Sequence, residues 1–402
     1  MRTLSKLLQT LRPDLFQVIK TVHEQNKPGV LYGFVSEKGW RHKSVGTTIE
    51  HIIDPAKYEQ LQRKAKTNLS AWQKSSKEFP QVVSVTAQDW GDVTLEATKT
   101  YGLPYTVLNM ANASFPGGAV LEGGAAQEEN VWHRSTCILS LLDEGVSFNR
   151  DSMSFEYNEG MTARISALEQ MTDEELRDLR RLRGQNIPKA YIVFLNENVQ
   201  ICFRGPEDLY INEGNDKSGP LLLAASDTSF PMLADEDIFP FFEMRAAAPD
   251  LSDNQLNLLD KAVIKTYEED LRRRIAAQLD TLILAKRPNA ILGAWGCGAF
   301  KNSPDTVARI YREEIEQRAS CFQHLIFPIL STDYRGNNVS IFKKYLDGVK
   351  LGDKANTLTA EVGGSNNVPG EANPNSFFSG SQNPSSSTIE EDAKNKPKNE
   401  MK

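Results

Sequence analysis

The chain has 402 residues, 40% of them apolar and 25% charged, with a formal net charge of −7. That composition is of a soluble globular protein long enough for two or three domains. The negative balance argues against a dedicated nucleic-acid binder, whose affinity would rest on clustered Lys and Arg.

A nucleotide-like ligand stays open, because a diphosphate can be held by backbone N–H groups. The cysteines Cys137, Cys202, Cys297 and Cys321 form no CxxC pair, so neither a zinc cluster nor a disulfide framework is expected and a reducing compartment is the simpler reading. The five histidines include no HExxH or comparable metal spacing. No segment has the length of a membrane span, and the N-terminus lacks a sustained apolar run. Leu4, Leu7, Leu8 and Leu11 instead line one side of an amphipathic helix, a packing face.

In chain order, residues 1–78 form an N-terminal accessory region that reads as helical and polar, with short strands around Leu31 to Val35. In residues 79–346, strand-like runs begin at Gln81, Tyr105, Ala190, Gln200, Ala290 and His324. Helical patterns fall between several of them, at Thr94 to Thr100, Gln255 to Lys286 and Thr306 to Arg318. This alternation predicts an α/β fold, a mixed sheet between helices with ligand sites at the strand ends. Residues 347–402 are rich in Asn, Ser, Gly, Pro, Glu and Lys. They cannot bury enough apolar surface to offset the entropy of ordering, which predicts a disordered tail.

Three stretches could carry chemistry. The first is Asn109 to Ala119, where a strand ends in Asn residues and runs into Pro116-Gly117-Gly118. Asn112 offers an acceptor and donors suited to ribose hydroxyls, and the glycines permit positive φ and close backbone approach. Gln127-Glu128-Glu129 follows, before an apolar helical stretch. Two carboxylates there read most simply as acidic residues favouring a helix N-terminus. Beside an acetal-like bond they could instead protonate a leaving oxygen and then activate water.

The second is Leu292 to Phe300, a strand followed by a glycine-rich loop and then a helix from Thr306. Its backbone N–H groups suit a diphosphate, and the faces of Trp295 and Phe300 suit a ribose or base. Cys297 has no base partner nearby in sequence and reads as a small loop residue. The third is Gln88 to Thr94, where a carboxylate at a strand end could accept from an adenine amino group or simply cap the next helix.

Taken together, these stretches resemble the macrodomain superfamily, and most of all the bacterial type of poly(ADP-ribose) glycohydrolase. That family carries an Asn-Pro-Gly-Gly-Gly-like turn and then, after a short spacer, Gln-Glu-Glu. Pro116-Gly117-Gly118-Ala119 and Gln127-Glu128-Glu129 match it, over a resemblance covering roughly residues 80 to 345. The resemblance implies binding of ADP-ribose and hydrolysis of the ribosyl bond of poly- or mono-ADP-ribosylated protein, without metal or cofactor. It gives Glu129 the role of acid and then base, Glu128 a grip on ribose hydroxyls, and Asn112 and Phe300 the distal ribose. Gly117 and Gly118 would shape the catalytic loop, and Gln127 would contact the ligand. Gly296, Cys297, Gly298 and Ala299 would wrap the diphosphate, Asp92 and Val93 would face adenine, and Asp333 would be a further ligand contact.

Ala119 replaces the third glycine of the family turn, and a methyl group would distort the loop if that position needed positive φ. The residues from Glu144 to Gly184 and the acidic stretch Ala234 to Asp237 match no family feature and are candidates to cover the cleft. Two other functions compete: a non-catalytic ADP-ribose reader, and a bacterial effector that works by binding a protein partner through the N-terminal region or tail. The expected location is cytoplasmic; export to a host cytosol through a C-terminal signal is the sharper reading of the tail.

Overall fold

The computed structural model describes residues 13–25, 37–207, 209–212, 221–224, 229–252, 260–330 and 337–353. The amphipathic stretch Leu4 to Leu11, the strands expected near Leu31 to Val35, Asp333, and the tail from residue 354 onward lie outside the described residues.

A seven-stranded mixed sheet organises the chain. Its strands are β1 (Val82–Thr86), β2 (Thr106–Asn109), β5 (Phe194–Leu195), β6 (Gln200–Cys202), β9 (Phe239–Arg245), β10 (Asn289–Ile291) and β11 (His324–Pro328). The order is β1-β11-β10-β2-β9-β5, with β6 also paired to β9. The pairs from β1 through to β9 are parallel; β5 and β6 run antiparallel to β9. Two hairpins stand apart from the sheet, β3 (Val146–Asn149) with β4 (Ser154–Tyr157) and β7 (Leu209–Asn212) with β8 (Leu221–Ala224).

Successive side chains of a strand point to opposite faces, and the core divides accordingly. Val107, Phe241 and Ile326 belong to one apolar cluster, whereas Leu108, Met244 and Leu325 belong to the other. The first face is covered by α1 (Pro13–Gln25), α2 (Glu37–Ile53), α3 (Pro55–Trp72), α4 (Trp90–Tyr101) and α5 (Gln127–Arg134). The second is covered by α7 (Asp173–Arg183), α8 (Lys261–Leu284), α9 (Pro304–Glu316) and α10 (Asn338–Leu346); the short α6 (Glu159–Ile165) precedes α7. Local chemistry sets the helix ends. Asp54 caps α3, with Pro55 at its first position. α7 opens on a Thr172–Glu175 capping box and stops at the left-handed Gly184.

The described N-terminal helices are built into the main core, through Ile19, Val22, Val45, Ile49 and Tyr58. At the other end, residues 347–351 cover the open edge of β1. Val83 N–H donates to Val349 O, Leu351 N–H to Gln81 O and Val85 N–H to the Asp347 carboxylate. These residues were expected in the disordered tail; what orders them is the unpaired strand edge they satisfy.

Strand β9 was not expected from the sequence. Phe239-Pro-Phe-Phe-Glu-Met-Arg245 carries a proline and two charges, yet it is buried throughout. Pro240 pairs only with β6, because β2 joins at Phe242, so its missing N–H breaks no ladder bond on that side. Glu243 and Arg245, two apart and therefore on one face, form a fully buried ion pair at 2.8 Å.

Two buried histidines are held neutral. Burial pushes the pKa of His324, hydrogen-bonded to Tyr105, down to about 4, and that of His133 down to about 3. Unfolding frees both to bind protons below about pH 6.5, so their contribution to stability is full above that pH and is lost as pH falls toward their folded values. Denaturant melts between pH 6 and 4.5 should show His324→Gln losing about 1.4 kcal/mol per pH unit of the wild-type slope; parallel slopes would show that His324 is not held neutral.

Candidate active site

The site begins where β2 ends. After Asn109 the chain turns on Asn112, whose Oδ1 accepts from the Ser114 and Phe115 N–H groups at 2.8 and 3.0 Å. Gly117 and Gly118 follow at φ 76° and 54°, then a 3₁₀ turn, Val120–Glu122, and Gly123 before α5.

Ala126, at the N-cap of α5, makes no side-chain capping bond. The first three side chains of the helix instead reach back to the loop. Gln127 accepts from Met110 N–H and donates to Leu108 O, both at 2.8 Å. Glu128 accepts from Asn112 N–H at 2.7 Å and Gly117 N–H at 3.0 Å. Glu129 Oε1 accepts from Ala119 N–H at 2.9 Å. The acidic helix start is therefore a clasp on the glycine turn. Both glutamates are buried, and Glu129 Oε2 has no protein hydrogen-bond partner. Burial pushes the Glu128 pKa well above the usual carboxylate range and the neighbouring Glu129 adds to this, against the Asn112 and Gly117 N–H donors and the Arg245 guanidinium.

Ala119 sits at φ −95°, an ordinary conformation for an L-residue, and its N–H serves Glu129 as a glycine's would. The distortion considered for this position does not arise. Gly117 and Gly118 are different, since a Cβ on Gly117 would lie 2.4 Å from the Trp132 ring and one on Gly118 would lie 2.5 Å from Glu129 Oε1.

These groups open onto a cleft of about 770 Å³. Its walls include Asn112, Gly118, Gln127, Glu128 and Glu129 on one side and Gly296, Gly298, Ala299 and Phe300 on another, so the first and second motifs meet across it. Asn302 fixes the second loop by donating to Pro249 O and Gly296 O at 2.8 and 3.0 Å. Gly296, at φ 72°, leaves no room for a Cβ beside Ala248. No protein acceptor among the described residues takes the N–H groups of Gly298, Ala299 or Phe300, which leaves a run of backbone donors for an anion.

Several expected residues are placed elsewhere. Cys297 is not on the cleft wall; its thiol faces Trp295 O, and burial pushes its pKa up to about 12. Trp295 does line the cleft, but it is fully buried, with its ring N–H on Ala246 O. Asp92 and Val93 are also off the wall: Val93 packs in the core, and Asp92 lies past the start of α4. Their place is taken by Gln88, Asp89 and Trp90. Asp89 caps α4 through Gly91 and Asp92 N–H and pairs with the buried Arg134 at 2.6 Å. Asn112 Oδ1 and both ends of the Gln127 amide are used internally, which leaves Asn112 only its amide N–H groups for a ligand.

Of the two unplaced stretches, the β3–β4 hairpin does border the cleft through Met153, Ser154 and Phe155, and Tyr157 N–H ties it to Ser114 O at 2.8 Å. The acidic stretch does not: Asp235 pairs with Lys64 and Asp237 with Lys99, away from the cleft. Asn130, on the cleft wall, and Arg134, buried behind it, are marked by none of the sequence motifs. Their link is the α-helical spacing of Asn130 and Arg134, both of which meet at the Asn130 Oδ1 that Trp90 Nε1 also reaches, at 2.7 Å.

Residues 38–162 match a family model described as the catalytic domain of microbial-type PARG. The match begins inside α2 and takes in the glycine turn and the Gln127-Glu128-Glu129 triplet. No curated protein matched the sequence. Among solved structures, the chain is similar to poly(ADP-ribose) glycohydrolase from Deinococcus radiodurans in complex with ADP-ribose, at 20% identity and TM-score 0.39, covering 70% of this chain and 90% of that one. It is also similar to the enzyme from Thermomonospora curvata, at 17% identity and TM-score 0.44, covering 76% and 99%.

The two glycines should separate in denaturant melts. Gly118→Ala should lose about 1–2 kcal/mol for the left-handed backbone, and about 1 kcal/mol more where the crowded Glu129 carboxylate is pushed off Ala119 N–H. Gly117→Ala should lose about 1–3 kcal/mol more, because the Trp132 ring cannot move aside. Equal losses would show that the turn rather than the ring sets the constraint.

Proposed function

We propose that the chain is a macrodomain-type ADP-ribosyl glycohydrolase that releases ADP-ribose from poly- or mono-ADP-ribosylated protein. The observation that carries this reading is Glu129 Oε2, a buried carboxylate oxygen left without a protein partner while its twin is fixed by Ala119 N–H, at the wall of a cleft. The family match over the same loop supports it.

In this reading the diphosphate lies on the N–H groups of Gly298, Ala299 and Phe300, and adenine lies toward Asp89, Trp90 and Ile329 at the far wall. The distal ribose lies between the Asn112 amide and Phe300, which brings its anomeric carbon to the carboxylates. Glu129, protonated, gives its proton to the departing oxygen as the C–O bond breaks. The ribosyl cation forms beside Glu128, and Glu129, now a carboxylate, takes a proton from the water that adds to the anomeric carbon. Burial pushes the Glu128 pKa up and the neighbouring Glu129 adds to it, so the site favours a protonated carboxyl beside the ribosyl bond. Glu128, held by two backbone N–H groups, keeps the turn in place.

Calorimetric titration should show ADP-ribose binding, and release of ADP-ribose from a modified protein or polymer should be measurable. Glu129→Gln should lower the release rate by about 10²–10⁴-fold and keep the binding. Equal release by the variant removes Glu129 from the mechanism. Binding without turnover on any linkage makes the protein a reader, and absence of binding overturns both.

A further inference from the structure

The glycine turn is also held from behind, by three histidines that the reaction does not use. His42, on α2, has Nδ1 2.8 Å from Leu121 O. His133, on α5, has Nε2 3.1 Å from Gly124 O. His23, on α1, has Nε2 2.8 Å from His42 O, and its ring stacks on that of His42 at 3.9 Å and 8°. All three are buried. A carbonyl oxygen only accepts, so each of these ring nitrogens carries its proton and each ring is a fixed donor. Gly46 permits the stack, because a Cβ there would lie 2.9 Å from His23 Cε1.

The two carbonyls so held, Leu121 O and Gly124 O, lie in the segment that directly follows the glycine turn. Ala119 donates to Glu129 Oε1, and Ala119 O in turn accepts from Gly124 N–H at 2.8 Å. Between them runs the Val120–Glu122 turn, which contains Leu121. α1 reaches the cleft itself through Val22, although it lies outside the matched residues 38–162.

We propose that His42, seated by His23 and matched by His133, is a positioning residue that hangs the Val120 to Gly124 segment so that Ala119 N–H is aimed at Glu129. α1 and α2 are then working parts of the active site. The proposal rests on the glycohydrolase reading for its effect on rate, but the geometry it asserts can be measured without activity.

The test uses the full chain with His42→Ala, His42→Asn and His23→Ala. Asparagine places an N–H where the Nδ1 of His42 lies, so it should restore the bond to Leu121 O. Amide hydrogen exchange should speed up over residues 117–124 in His42→Ala and return toward wild type in His42→Asn. Release of ADP-ribose should fall roughly tenfold to a hundredfold in kcat for His42→Ala, with ADP-ribose affinity held within about threefold and recovery in His42→Asn. His23→Ala, which removes only the prop, should move both readouts the same way by less, and it decides the matter if His42→Ala does not fold. Unchanged exchange in the alanine variants, or asparagine no better than alanine, overturns the proposal. A wild-type protein that neither binds nor releases ADP-ribose overturns the functional reading instead, and the exchange measurement then decides this one alone.

Discussion

The site depends on one constraint, that the first turn of α5 spends its side chains on the loop before it. Gln127, Glu128 and Glu129 reach Leu108, Met110, Asn112, Gly117 and Ala119 through backbone groups only. A helix start that would ordinarily satisfy its own N–H groups satisfies those of a turn two glycines wide. The turn cannot relax without unseating the carboxylates, and the carboxylates cannot swing without losing charge-assisted bonds in a buried place. Glu129 Oε2 stands free because every other polar atom of the two carboxyl groups is committed.

The sheet supplies the rigidity for this. β2 delivers the loop and β9, beside it, delivers the Glu243–Arg245 pair under the same region. Glu243 takes Asn109 Nδ2 at 2.8 Å and Trp132 Nε1 at 3.0 Å, and Trp132 is the ring against which Gly117 is pressed. A buried ion pair contributes little net stability, but it is costly to leave half-made, so the groups around it are held in register. The loop is thereby gripped from the helix, from the floor and, through the histidines, from behind.

The mixed sheet was legible because most of its strands are apolar runs bounded by turn residues, as at Val82 to Thr86 and His324 to Pro328. β9 was not, since Pro240, Glu243 and Arg245 disguise a strand whose charges cancel only in three dimensions. The glycine turn and the acidic triplet were legible through their spacing, and the second glycine loop through its place between strand and helix. Asp92 and Val93 lie off the cleft wall for a local reason: the chain enters α4 at Trp90, so the strand-end carboxylate facing the cleft is Asp89. A tryptophan beside glycines looks available in sequence, but Trp295 is fully buried and its N–H ends on Ala246 O. The histidine clamp joins positions 23, 42, 121 and 133, and no periodicity connects residues so far apart.

That the turn is gripped through its peptide groups has a consequence for divergence. Asn112 and Ala119 offer the glutamates amide hydrogens, which any non-proline residue with the right backbone would also supply, whereas Gly117 is fixed by the Trp132 ring against it. Ser114 and Phe115 project beside them and owe the carboxylates nothing; Phe115 stands 46% exposed at the rim. The scaffold therefore separates what must be kept from what can be rewritten. The rim can drift or be redesigned while the buried carboxyl groups beneath it keep their aim.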